Sequence, residues 1–140
     1  MATSTTIGWL VLVALIMWGV KSAGQLPKAF RHRSCQGSAW LAAFPEASKA
    51  DIRQFLALFV EAFAFKDEQK LMFAPSDEVL AVYRALYPSR WMPDALELET
   101  LADDLSRQYG VSLQAVWHQQ LTLGQLFLEV QAHGHAVNAP

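Results

Sequence analysis

The sequence predicts an all-α protein: an apolar N-terminal helix, a basic connecting stretch and a small bundle of four or five helices. Three observations carry this prediction. Residues 2–20 hold no charge at all. From Ser48 onward, apolar residues recur at spacings of three and four, the period of a helix with one buried face. No stretch alternates apolar and polar residues as a half-buried strand does.

The chain has 140 residues, room for one modest domain. It is 53% hydrophobic and 17% charged, and the apolar excess sits at the N-terminus. There, "ATSTTIGWLVLVALIMWGV" (residues 2–20) contains a dense apolar run of 14 residues, Ile7 to Val20. With Ala2–Thr6 the uncharged run reaches 19 residues, close to the roughly 20 that span a bilayer. Trp9 and Trp18 lie towards its two ends, where indoles favour headgroups. No basic residue precedes Lys21 and no small-x-small cleavage site is well placed, so the flanks favour an uncleaved anchor over a signal peptide.

Charge sets the expected orientation. Residues 1–33 carry Lys21, Lys28, Arg31 and Arg33 and no acid, a balance of +4; residues 34–140 balance at −6. Positive-inside reasoning then predicts a single-pass inner-membrane protein, with its N-terminus outside and the C-terminal domain cytoplasmic. The lone Cys35 permits no intrachain disulfide, in keeping with a reducing compartment.

Residues 21–46 read as a basic juxtamembrane linker, interrupted by Gly24, Pro27, Gly37 and Pro45. Within it, "KAFRHR" is positioned to rest on anionic lipid with Phe30 dipping in. The plainer reading is that these charges only fix topology. "AWLAAF" (39–44) suits a short helical piece on the domain or at the interface.

The domain is expected over 47–132. Ser48 and Asp51 suggest a capping box, followed by the stripe Ile52, Phe55, Leu56, Phe59, Val60 and Phe63. Ser76 opens a second helix with Asp77 and Glu78 in its first turn, and Pro88 ends it. A third begins at Asp94, paired with Glu97 at capping-box spacing, and buries Leu98, Leu101, Ala102, Leu105 and Tyr109. Gly110 stands where a C-terminal glycine belongs. Residues 112–120 suit a short helix or turn. Thr122 and Gln125 form another capping pair before Leu126, Phe127 and Val130. The tail, 133–140, lacks apolar periodicity and is expected to be disordered.

The segment 94–131 resembles an acyl carrier protein. "DALELETLADDLSRQYGVSL" is similar to the carrier helix with its D-S-L start. The connector 114–120 follows, and "LTLGQLFLEV" is similar to the opening of the last carrier helix. Bacterial families with degenerate carrier-like domains share this look. The resemblance implies an acyl-carrier-like bundle behind the transmembrane helix. It also implies a phosphopantetheine-bearing serine at the helix start, where backbone N–H groups and the dipole favour a phosphodiester. Asp94 matches the preceding acid and Leu96 the following leucine, but Ala95 occupies the serine position. A methyl group accepts no pantetheine, so no cofactor is expected. The inserted "SDEVLAVYRALYPSRW" departs from the carrier pattern in the first half.

The remaining chemistry is sparse. His133 and His135 lack further ligands for a metal. Glu97, Glu99, Asp103 and Asp104 read as a solvated acidic face, which in the carrier family docks on basic patches of partners. Trp91 and Met92, just before the helix, are apolar interface candidates. No phosphate loop, catalytic triad or nucleic-acid motif is present, and an acidic domain argues against nucleic acid. The expectation is a membrane-anchored, non-catalytic pseudo-carrier or adaptor. Its partners would be lipid and a protein with a basic docking patch. Its binding candidates are Trp91, Met92, Asp94, Leu96, Glu97, Glu99, Asp103 and Asp104. The alternatives are a working carrier modified on a different serine and a small structural subunit of a membrane complex.

Overall fold

A computed structural model describes residues 2–22, 26–87 and 96–138. In chain order they form α1 (Ala2–Ser22), α2 (Lys28–Arg31), α3 (Gly37–Ala43), α4 (Lys49–Ala62), a 3₁₀ helix (Asp67–Met72), α5 (Val79–Leu86), α6 (Leu96–Tyr109), α7 (Leu113–Val116) and α8 (Leu123–Asn138). The all-α prediction holds: the described residues contain no strand, only an isolated antiparallel bridge between Glu78 and Thr122.

The transmembrane expectation is corrected. No helix among the described residues is long and apolar enough to cross a membrane. The physical reason lies in α1 itself. Its dense apolar run rises only ~21 Å at 1.5 Å per residue, against ~30 Å of hydrocarbon. The residues in front of it, "ATSTT", are small and mostly hydroxylated. A single-pass inner-membrane location is therefore not supported. Ile7 through Met17, Trp9 included, are all exposed and contribute nothing to the core. The side chains of Trp18 and Lys21 lie outside the described residues.

Helix α4 is the centre of the packing. Its stripe emerges as the period predicts, with Ile52, Phe55, Leu56, Phe59, Val60 and Phe63 all buried. Ser48 caps it by accepting from the Asp51 N–H at 3.0 Å. Its C-terminus closes through left-handed Ala64 (φ 59°), with the Phe65 N–H reaching back to the Val60 carbonyl at 2.8 Å. Phe55 and Phe59, one turn apart, each anchor an aromatic cluster. Phe55 meets Trp40 (6.1 Å between centroids) and Phe127 (5.3 Å). Phe59 meets Phe63 (4.7 Å) and Phe73 (5.2 Å). Such pairs add about 0.5–1.5 kcal/mol each beyond area burial. The indole N–H of the fully buried Trp40 donates to the Phe73 carbonyl at 2.7 Å and so ties the clusters together.

The stretch read as a linker supplies part of this core. Leu26, Phe30 and Trp40 are buried with the α4 residues. Phe30 packs on Phe73 at 5.4 Å and does not reach outward towards lipid. Arg31 donates twice to the Leu26 carbonyl. Arg33 lies over the Phe30 ring and pairs with Asp77 at 2.6 Å. Two of the four charges assigned to a membrane surface thus bond to carbonyl and carboxylate acceptors of the chain itself, Arg31 from an exposed position and Arg33 from a half-buried one. Lys28 remains exposed.

Helix α5 starts later than expected, at Val79, with Ala74–Asp77 folded as a turn before it. Asp77 does not serve the helix dipole. Its nearly buried carboxylate accepts from the Ala74 N–H at 2.7 Å and from Arg33. The starts of α5 and α8 are clamped side by side. The Val79 N–H donates to the Leu121 carbonyl and the Leu123 N–H to the Asp77 carbonyl, both at 2.9 Å. Gly124 sits here because a Cβ would come within 3.0 Å of the Pro75 carbonyl oxygen.

Thr122 and Gln125 make both halves of the predicted capping box, each bond 3.1 Å. From there α8 runs to Asn138, through most of the tail expected to be disordered. No proline interrupts it before Pro140, and extending an existing helix costs far less than starting one. Fully buried Leu101 and Leu105 hold α6 against α4, and α6 also touches α8.

Candidate functional site

The candidate surface is the outer side of α6. At ~100° per residue, Leu96, Glu99 and Asp103 fall within one narrow sector of the helix. Leu101 and Leu105 point to the opposite side, into the core. All three outer residues are exposed, and Leu96 leaves 61% of its surface open. Neither Glu99 nor Asp103 has a hydrogen bond or ion pair among the described residues. They stand four apart, a spacing at which like charges cost a helix about 0.2–0.5 kcal/mol.

The other two acids of the predicted face play different parts. Glu97 lies on the shoulder of the helix, partly buried, and accepts a hydrogen bond from the Tyr87 hydroxyl. Its second oxygen is buried without a hydrogen-bond partner. Asp104 pairs with Arg107 at 2.9 Å. The acidic face is thus divided: Glu97 and Asp104 bond to side chains of the fold, while Glu99 and Asp103 make no such bond, Glu99 complementing only the helix dipole from the first turn. Trp91, Met92, Asp94 and Ala95 lie outside the described residues.

The expected Asp94–Glu97 box falls at Asp94 outside the described residues. Glu97 is engaged by Tyr87 from α5's C-terminal end, ten positions earlier. That bond is tertiary, and spacing along one helix gives no sign of it. At the other end the sequence signal was sufficient. Gly110 takes φ 68°, and its N–H reaches the Ser106 carbonyl at 3.0 Å. Tyr109, beside it, has its phenol raised above the usual range, by burial first and then by the negative charge of Asp51.

Among the described residues, no group of three or more His, Cys, Asp or Glu side chains could hold a metal ion. His133 sits on α8 with its Nδ1 2.9 Å from the Glu129 carbonyl, a bond within its own helix. Against known proteins, the chain matches no family model, no curated protein and no solved structure.

Proposed function

We propose that the chain is a non-catalytic adaptor whose degenerate carrier-like domain binds a protein partner through the outer face of α6. The observation that supports this is the trio Leu96, Glu99 and Asp103. Glu99 lies in the first turn of α6, where the helix dipole favours an acid, but Leu96 and Asp103 are exposed without such a role, and the two acids repel. A leucine beside two unpaired carboxylates matches a partner patch with an apolar centre and basic surroundings. Opposite charge there would speed encounter and fix register more than it would add affinity. The acidic balance of residues 34–140 directs the reading towards protein over nucleic acid. The succession of α6, α7 and α8 supports the carrier resemblance of 94–131, and Ala95 removes the nucleophile it would need.

Two measurements test this. Co-expression with a phosphopantetheinyl transferase, followed by intact-mass analysis, is expected to give unmodified protein. A pantetheine adduct on any serine overturns the pseudo-carrier reading. Site-specific photo-crosslinking in cells from position 96, the exposed apolar position of the trio, is expected to yield a discrete adduct with one protein. The double reversal Glu99→Lys and Asp103→Lys is expected to abolish it while lowering stability by no more than about 1 kcal/mol, the cost of a cation in the first turn. Retention of the adduct after reversal would show the face to be only solvated surface.

A further inference from the structure

A second surface, built from other elements, carries its own inference. Between α3 and α4 lies an open groove of about 210 Å³. Its floor is apolar: Ile52 is buried, Leu71 is half-buried, and Leu41 turns a side chain that is 38% exposed into it. Cys35 and Gly37 form one lip. Lys49 and Arg53 form the other.

The cations are the informative part. Arg31, Arg33, Lys70 and Arg107 each bond to a carbonyl or carboxylate of this chain. Lys49 and Arg53, like exposed Lys28 and Arg84, bond to nothing among the described residues, but only these two line an apolar groove together. They stand one turn apart, so they repel. Lys49 is also the first residue of α4, where the helix dipole disfavours a cation. Two local rules are broken at the edge of one apolar depression. An anion held between the two side chains would relieve both costs.

Size narrows the ligand. An apolar cavity of about 150 Å³ accommodates benzene, so this groove suits a body of about six to eight heavy atoms. We propose that the groove binds a small amphipathic monocarboxylate. Its apolar body would rest on Leu41, Ile52 and Leu71, and its carboxylate would sit between Lys49 and Arg53. This site is independent of the α6 face and stands or falls separately from the adaptor reading.

The test uses full-length protein and three matched probes, hexanoate, hexylammonium and 1-hexanol. Amide chemical shifts locate binding, and the rate of Cys35 alkylation by neutral iodoacetamide reports on the lip, since Cys35 is an exposed free thiol. Hexanoate is expected to shift Gly37, Lys49 and Arg53 and to slow the alkylation, while hexylammonium does neither. Lys49→Gln with Arg53→Gln is expected to weaken hexanoate about fivefold or more and leave hexanol unchanged. Leu41→Gln is expected to weaken both. Both cations are exposed, so their replacement leaves folding intact, and an unchanged thermal midpoint checks this. Equal binding of hexylammonium, shifts confined to other regions, or full affinity in the double variant would each overturn the proposal.

Discussion

The guanidinium of Arg33 meets the carboxylate of Asp77 at 2.6 Å across 44 positions of sequence. The same carboxylate holds the Ala74 N–H, so one side chain fixes both a turn and the packing of the N-terminal segment. Asp77 is nearly buried, whereas the Arg33 side chain keeps 32% of its surface. Removing the acid therefore costs more than removing the base. Asp77→Ala is expected to destabilise by about 2–3 kcal/mol, because the Ala74 N–H is left without its acceptor. Arg33→Ala is expected to cost about 1 kcal/mol, partial exposure screening the pair. Urea unfolding of the two variants checks the order.

Trp40 offers a second test. Trp40→Phe keeps an aromatic ring between Phe55 and Phe127 but removes the donor to the Phe73 carbonyl and leaves a void. The expected loss is about 2 kcal/mol, from an unpaired buried carbonyl and lost packing. A change below about 0.5 kcal/mol would mean that the indole bond does not join the two aromatic clusters energetically.

Two helix ends predict changes of opposite sign. Ala64 holds a left-handed conformation that costs a non-glycine residue about 1–2 kcal/mol. Ala64 is exposed, so Ala64→Gly is expected to raise stability by up to about 1 kcal/mol. Gly110 holds the same conformation, and a Cβ there would meet nothing within 4 Å. Gly110→Ala is therefore expected to lower stability by about 1 kcal/mol through conformation alone. Thermal midpoints of both variants decide the matter.

Tyr109 predicts an alkaline effect. Its folded-state phenol is raised above the ordinary value of 10.0, so the unfolded chain loses that proton first. The resulting stability is fully present below about pH 10 and is lost as pH rises through the folded value. Tyr109→Phe is expected to flatten this alkaline decline, measured as unfolding free energy between pH 9 and roughly 11.5.

Local features were legible in the sequence. The Ser48 cap, the α4 stripe, the Thr122–Gln125 box and the glycine end at Gly110 all follow from spacing over a few residues. Features that depend on distant partners were not. Basic residues before 34 look alike in sequence, yet Arg33 answers a carboxylate from beyond the 3₁₀ helix. The piece 39–44 suits the domain and the interface equally until Trp40 is seen to donate to the Phe73 carbonyl. Of four acids on α6, periodicity separates two shoulders from two outer positions, but only the positions of Tyr87 and Arg107 reveal which are engaged. Left-handed Ala64 carries no residue signal at all. For α1, hydrophobicity was plain while reach was overestimated, since small polar residues were counted towards the span.

The clamp between the starts of α5 and α8 has a consequence for exchange with solvent. The amides of Val79, Leu123 and Gly124 donate across it, and the side chains of Val79 and Leu123 are fully buried. Fraying of a helix end cannot release them, because each acceptor belongs to a segment more than 40 residues away. Deuterium should enter these three positions only when the whole bundle opens, at the rate set by global stability. Amides in the middle of α1, whose side chains pack on no core, should exchange orders of magnitude sooner. Exchange measured residue by residue would then mark this small crossing, and not the longest helix, as the last part of the protein to come apart.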